Sequence, residues 1–236
     1  MFFDMTYVYF VLPALFVAML AQIRVKSVYA KYSKIPNIRG ITGEQAARRV
    51  LDANGLGHIR VERIAGNLTD HYDPKEDVIR LSDGVFASTS TAAVGVACHE
   101  AGHAVQHALE YFPAKLRMAI IPATRIGSTL SMFLIPIGLI LAYIGYYYAV
   151  TIAYIGLVGY ALCAVFQLVT LPTEFDASRR AVTAIGDSGF LNEEEMTGAK
   201  RVLSAAALTY VAALFVSIMT ILRFLVLISN ASGRRK

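Results

Sequence analysis

His99-Glu100-Ala101-Gly102-His103 is the stretch around which the rest of the chain is organised. Two histidines four residues apart on a helix lie on the same face, so the imidazoles of His99 and His103 can converge on one metal ion. Glu100, between them, is then placed to act as general base on a water molecule. This H-E-x-x-H spacing is typical of zinc hydrolases. The stretch therefore predicts one Zn²⁺ per chain, with Glu100 as catalytic residue.

The composition indicates a membrane protein. Of the 236 residues, 56% are hydrophobic and 17% are charged, whereas a soluble domain has about 45–50% apolar and about 25% charged residues. The net charge of +5 comes from basic residues that lie beside apolar stretches. No Lys/Arg run alternates with aromatic residues, so the charge predicts membrane orientation and argues against nucleic-acid binding.

Long apolar runs predict a mainly α membrane protein with about four transmembrane helices. Arg24 and Lys26 follow the first run directly, which places its C-terminal end in the cytoplasm by the positive-inside rule. We expect a first transmembrane helix over residues 6–23, a cytoplasmic catalytic domain over 32–111, an interfacial segment over 112–125, a transmembrane hairpin over 126–171, a second cytoplasmic segment over 172–204 and a fourth transmembrane helix over 205–228.

The end of the chain leaves its topology open. Arg223 interrupts the fourth apolar run near its end, where a long side chain can snorkel to the interface. Four complete spans would place Arg234, Arg235 and Lys236 outside the cell, against the positive-inside trend. The sequence does not decide whether the last helix crosses the bilayer fully.

The polar region before the motif predicts a small α+β domain. Residues 42–45 form a capping-box pattern that opens a short amphipathic helix. We expect strands over residues 58–64 and 77–82, separated by a turn-rich segment over 67–74. By analogy with metallopeptidases that carry the H-E-x-x-H motif, the second strand is expected to offer its edge to an extended peptide. Ser88-Thr89-Ser90-Thr91 supplies N-cap candidates for the helix that carries the motif.

A catalytic zinc site usually has three protein ligands. The best remaining donors are Glu174 and Asp176, in a helix-forming stretch after the predicted hairpin. Two membrane runs separate His103 from this stretch, and an even number returns the chain to the same side of the bilayer. We therefore expect the ligands to meet at the cytoplasmic face.

Three stretches together carry a family resemblance, namely His99-Glu100-Ala101-Gly102-His103, residues 68–74 (Leu-Thr-Asp-His-Tyr-Asp-Pro) and residues 174–181 (Glu-Phe-Asp-Ala-Ser-Arg-Arg-Ala). They resemble the YugP-type zinc metallopeptidases of bacterial membranes. More distantly, the chain is similar to the HtpX heat-shock and CAAX prenyl proteases, gluzincins whose third ligand begins a Glu-x-x-x-Asp pattern. The resemblance implies a zincin-like domain, peptide hydrolysis and Glu174 as third ligand. Ser178 stands where the distant group has Asp, so Asp176 is the candidate for a supporting role.

Four further residues are candidates for supporting roles. His71, Tyr72 and Arg179 are candidate donors to the oxyanion of the transition state, with a loop role or a positive-inside charge as the alternatives. His107 continues the face of the two motif histidines, but it lies about 6 Å farther along the helix axis. A packing or supporting contact is therefore favoured over a fourth ligand.

The leading hypothesis is an integral membrane zinc endopeptidase whose site faces the cytoplasm. The alternative is a non-catalytic membrane metal-binding or scaffold protein. An intramembrane-cleaving protease is disfavoured, because the zinc helix follows a polar domain and not a spanning run. The predicted partners are the lipid bilayer and a protein or peptide substrate. The sequence leaves open an oligomer or a regulatory membrane partner.

Overall fold

A computed structural model describes residues 4–233, so the expectation about the charges at 234–236 lies outside the described residues. The elements are a π-helical turn Tyr7–Val11, α1 (Leu12–Tyr32), α2 (Gly43–Ala53), β1 (Arg60–Ile64), β2 (His71–Asp73), β3 (Val78–Ser82), α3 (Asp83–Phe86), α4 (Thr91–Ala108), α5 (Phe112–Tyr143), α6 (Ala149–Ser188) and α7 (Glu193–Gly233).

The chain divides into two compact units, and several long helices contribute to both. The helical unit comprises Met1–Ala21, Leu116–Leu171 and Thr209–Lys236, and the mixed unit comprises Gln22–Lys115 and Pro172–Leu208. The protein is mainly helical, with a three-stranded mixed sheet in the mixed unit.

Within residues 4–233, four helices are long and apolar enough to cross a membrane: Tyr7–Tyr32, α5, α6 and α7. This confirms the predicted number of candidate spans. The helices are longer than the apolar runs, and α5 shows no interruption at the expected boundary near residue 125. Pro122 lies inside α5 and Pro172 inside α6. A proline removes one backbone hydrogen bond, but both helices continue through their prolines because the remaining backbone hydrogen bonds are kept.

Close backbone contacts hold the predicted hairpin together. A Cβ atom added at Gly127 of α5 would lie 2.6 Å from the carbonyl oxygen of Gly159 in α6. A Cβ atom added at Gly159 would lie 2.8 Å from the carbonyl oxygen of Gly127. Small residues let membrane helices approach in this way. At the turn between the helices, Gly145 has φ +84°, which favours glycine.

Arg223 in α7 is mostly buried in the helical unit, with 11% of its side chain exposed. A guanidinium nitrogen lies 3.7 Å from a carboxylate oxygen of Asp4. The rings of Tyr7 and Phe224 lie 5.2 and 5.5 Å from the guanidinium carbon. An ion pair and two cation–π contacts therefore accommodate the charge that we expected to snorkel.

In the mixed unit, α2 begins with the predicted capping box. Thr42 Oγ1 accepts a hydrogen bond from the backbone N–H of Gln45, and the Gln45 side chain accepts one from the backbone N–H of Thr42. The apolar face of α2 then buries Ala47, Val50 and Leu51 in a core that also contains residues of β3, α4, α6 and α7.

The sheet differs from the prediction in one strand. β1 and β3 form where we expected strands, but β2 lies inside the segment that we expected to be turns. The order is β1-β3-β2, with β3 parallel to β1 and antiparallel to β2. The prediction that β3 offers a free edge to a peptide is therefore wrong. Val78, Ile79 and Leu81 are fully buried, as is typical of a central strand.

Candidate metal centre

α4 places the H-E-x-x-H stretch well inside a helix. Ser90 caps the helix, because its hydroxyl accepts a hydrogen bond from the backbone N–H of Ala93 at 3.1 Å. His99 and His103 therefore lie on the same face of α4, as their four-residue spacing predicts. The rings of His99 and His103 lie 4.7 Å apart between centroids, at an interplanar angle of 82°.

The structure brings His99, His103 and Glu174 together. Glu174 Oε2 lies 3.3 Å from His99 Nε2 and 3.6 Å from His103 Nε2. Two ligand atoms at about 2.0–2.1 Å from a tetrahedral zinc ion lie roughly 3.4 Å from each other. Two nitrogens and one carboxylate oxygen are also a donor set that zinc prefers. The three residues thus fit a zinc ion in both spacing and chemistry.

Glu174 is a buried carboxylate whose charge the two imidazoles stabilise. Burial alone would raise its pKa, but the contacts with His103 and His99 outweigh this effect and hold the pKa well below its usual range. A deprotonated carboxylate is the form that binds a metal ion.

The second nitrogen of each imidazole contacts another side chain. His99 Nδ1 lies 3.2 Å from Ser178 Oγ, and His103 Nδ1 lies 3.0 Å from Gln106 Oε1. The Nε2 atoms therefore face Glu174. Ser178, the residue four positions after Glu174, therefore contacts a motif histidine. Gln106 is not among the residues predicted from the sequence, since no pattern distinguishes it from other polar residues of a helix.

Asp176 lies outside the His99-His103-Glu174 cluster. Its carboxylate accepts hydrogen bonds from Gln106 Nε2 at 2.9 Å, from Arg180 Nε at 2.6 Å and from Arg179. Burial would raise the pKa of Asp176, but these three donors lower it below its usual value. Asp176 therefore contacts Gln106, which in turn contacts His103.

The remaining candidates do not join the cluster. His71 Nδ1 lies 2.8 Å from the backbone oxygen of Thr69. The Tyr72 hydroxyl donates to Asp77 at 3.0 Å and lies 3.1 Å from His107 Nδ1. His107 thus contacts Tyr72 and is not one of the three residues of the cluster. The side chain of Arg179 is 75% exposed where it pairs with Asp176.

Gly102 allows α4 and α6 to touch at the cluster. A Cβ atom added at Gly102 would lie 2.8 Å from the backbone oxygen of Ala177 and 3.3 Å from its Cα. Both are backbone atoms, so no side chain can rotate away. Gly102 of the H-E-x-x-H stretch therefore packs directly on the backbone of Ala177, three residues after Glu174.

We predict that Gly102→Ala destabilises the mixed unit. Alanine favours a helix over glycine by about 1 kcal/mol, but overpacking costs about 1–3 kcal/mol, so we expect a net loss of unfolding free energy of up to about 2 kcal/mol. The thiol of Cys98, which is fully buried in the same unit, reports unfolding through its reaction with a thiol-specific dye in a Cys163→Ser background.

Gly186→Ala in α6 is the matched control. A Cβ atom there would meet only Met196 Cε, at 3.9 Å. We expect this variant to be as stable as the parent chain or more stable. Equal melting temperatures for Gly102→Ala and Gly186→Ala would contradict the packing argument.

The comparisons with known proteins agree with this geometry. Residues 7–229 match the family model described as "Putative neutral zinc metallopeptidase". The chain is 42% identical over 226 residues to the "Putative membrane protease YugP" of Bacillus subtilis (strain 168), which covers 96% of this chain and 98% of the relative. No solved structure matches the chain. The chain therefore belongs to the neutral zinc metallopeptidase family that this model describes.

Proposed function

We propose that the protein is a membrane-integrated zinc endopeptidase of the gluzincin class, which hydrolyses peptide bonds of protein or peptide substrates at the cytoplasmic face. The observation that supports this most strongly is the approach of Glu174 Oε2 to the Nε2 atoms of His99 and His103, at 3.3 and 3.6 Å. In this proposal the three side chains hold one zinc ion in a zincin-like domain.

The proposed chemistry assigns one role to each residue. When bound, zinc polarises the scissile carbonyl and lowers the pKa of a water molecule to about 7. Glu100, which is buried on α4 next to His99, accepts the proton of the attacking water. It then donates that proton to the leaving amine, acting first as general base and then as general acid.

A cytoplasmic site is supported by charge and by chain topology. Arg24, Lys26 and Lys31 follow the apolar part of the first helix and belong to the mixed unit. Basic residues next to a span favour the cytoplasm. Two apolar runs, in α5 and in the part of α6 before Pro172, separate the H-E-x-x-H motif from Glu174. An even number of crossings would return the chain to the same side of the bilayer.

Removal of zinc should abolish proteolysis. Purified protein in detergent, dialysed against a chelator, is expected to lose hydrolysis of fluorescein-labelled casein, because no group then activates water at neutral pH. One equivalent of Zn²⁺ should restore the activity, while Mg²⁺ should not, because it prefers oxygen ligands. Undiminished hydrolysis by protein shown to be metal-free would contradict the proposal.

The side of the membrane can be tested with two new cysteines. Lys75 is an exposed residue of the mixed unit, and Tyr147 is an exposed residue of the hairpin turn. In intact cells, a membrane-impermeant maleimide should label Tyr147→Cys and should label Lys75→Cys only after permeabilisation. The parent chain, whose cysteines are Cys98 and Cys163, is the control. The reverse pattern would place the site outside the cytoplasm.

A further inference from the structure

Gln106 is a fully buried polar side chain of α4 that connects His103 to α6. Its Nε2 lies 2.8 Å from the backbone oxygen of Thr173 and 2.9 Å from Asp176 Oδ2. Its Oε1 lies 3.0 Å from His103 Nδ1. One amide therefore contacts three groups, one of them on a proposed zinc ligand.

The chemistry of these neighbours fixes the orientation of the amide. A backbone carbonyl and a carboxylate only accept hydrogen bonds, so the NH₂ group of Gln106 has to face Thr173 and Asp176. A reversed amide would place its oxygen against two acceptors and leave buried polar groups without partners, which is costly. The amide oxygen is therefore held toward His103.

This orientation decides where the proton of His103 resides. An amide oxygen carries no hydrogen, so Nδ1 of the imidazole has to be the donor in the 3.0 Å contact. A neutral imidazole carries one N–H, and Nε2 then has the free electron pair that a metal ion requires. Nε2 is the atom that faces Glu174. Ser178 does not impose the same choice on His99, because a hydroxyl both donates and accepts.

We propose that Gln106 is a positioning residue that selects the Nδ1–H tautomer of His103, and that Asp176 acts through it by fixing the amide. The inference rests on the proposed zinc site. The inference explains how a carboxylate supports the cluster although a serine, Ser178, contacts His99 directly. The supporting carboxylate, Asp176, reaches a motif histidine through an intervening amide of α4.

The first test compares full-length wild-type protein with Gln106→Met, which has a similar shape but no amide. In metal-free protein labelled with ¹⁵N-histidine, the ring signals of His103, assigned by their loss in His103→Gln, should show a proton on Nδ1, held by Gln106 even where Nε2 also donates to Glu174. Gln106→Met should lose this proton on Nδ1 and bind Zn²⁺ about 10–100-fold more weakly in competition with a chelating dye. Gln22→Met, at an exposed residue of α1, is the control and should change neither result.

Gln106→Glu separates positioning from a merely structural role. Its carboxylate still accepts from His103 Nδ1 but faces Asp176 without the amide donor, so the protein should be less stable than Gln106→Met. We nevertheless expect it to keep the proton on Nδ1 and to bind Zn²⁺ more tightly than Gln106→Met. Zinc affinity that follows stability across the variants would overturn the proposal, and so would an unchanged proton on Nδ1 in Gln106→Met.

The outcomes also separate this inference from the proposed function. Equal zinc affinity of wild type and Gln106→Met would overturn the role of Gln106 and leave the zinc peptidase standing. Wild-type protein without affinity for zinc would overturn the peptidase proposal. The presence or absence of a proton on His103 Nδ1 in the metal-free protein would still decide whether Gln106 orients His103.

Discussion

Glu100→Gln is expected to lose proteolysis while it keeps its zinc. The amide of glutamine has nearly the same shape as the carboxylate but cannot accept the proton of the attacking water. Loss of a general base typically slows a reaction by about 10²–10⁴-fold. His99, His103 and Glu174 are unchanged in this variant, so the zinc content should stay at one ion per chain. Casein hydrolysis and metal analysis of the same preparation check both parts.

Glu194→Gln is the control for this variant, because Glu194 is an exposed glutamate of α7. It should retain both activity and zinc. A Glu100→Gln protein that hydrolyses casein at the wild-type rate would contradict the assignment of the base. If neither wild type nor variant cleaved protein while both bound zinc, the chain would act as a metal-binding membrane scaffold.

Glu174→Gln is expected to lose the metal itself. The variant replaces an anionic ligand with a neutral amide, and it removes the negative charge that lies 3.3 and 3.6 Å from the two imidazoles. Changes to residues that only support a ligand cost about 10–100-fold in metal affinity, so the loss of a ligand should exceed about 100-fold. Metal analysis after gel filtration and competition with a chelating dye measure this effect.

The reactivity of Cys98 shows whether the Glu174→Gln variant is folded. Cys98 is fully buried, and burial raises the pKa of its thiol, so a folded mixed unit should keep it unreactive. Glu194→Gln again serves as the control with full zinc affinity. A folded Glu174→Gln protein that binds zinc like wild type would show that the third ligand lies elsewhere.

The sequence predicted the elements whose signals are local. Ser90 and the spacing of His99 and His103 predicted α4, and Thr42 with Gln45 predicted the start of α2. Counting the apolar runs predicted that Glu174 and the histidines lie on one side of the bilayer. In the mixed unit these three residues do form a cluster.

The features that the sequence did not predict depend on tertiary contacts. β2 has only three residues and lies in a turn-rich segment, so no alternation of apolar residues marks it. It forms because β3 pairs with it, and Asp70 near its start accepts hydrogen bonds from both the backbone and the hydroxyl of Ser82. The role of Gln106 depends on Thr173 and Asp176, which lie 67 and 70 residues away in the chain.

The H-E-x-x-H pattern leaves two residue positions unspecified between its glutamate and its second histidine. In this protein Ala101 and Gly102 occupy them, and both are buried. Ala101 lies in the core of the mixed unit, and Gly102 touches the backbone of Ala177. The chemistry tolerates almost any residue there, whereas close packing tolerates only the smallest. Two residues that a motif search ignores are therefore restricted to small side chains by the packing of this protein.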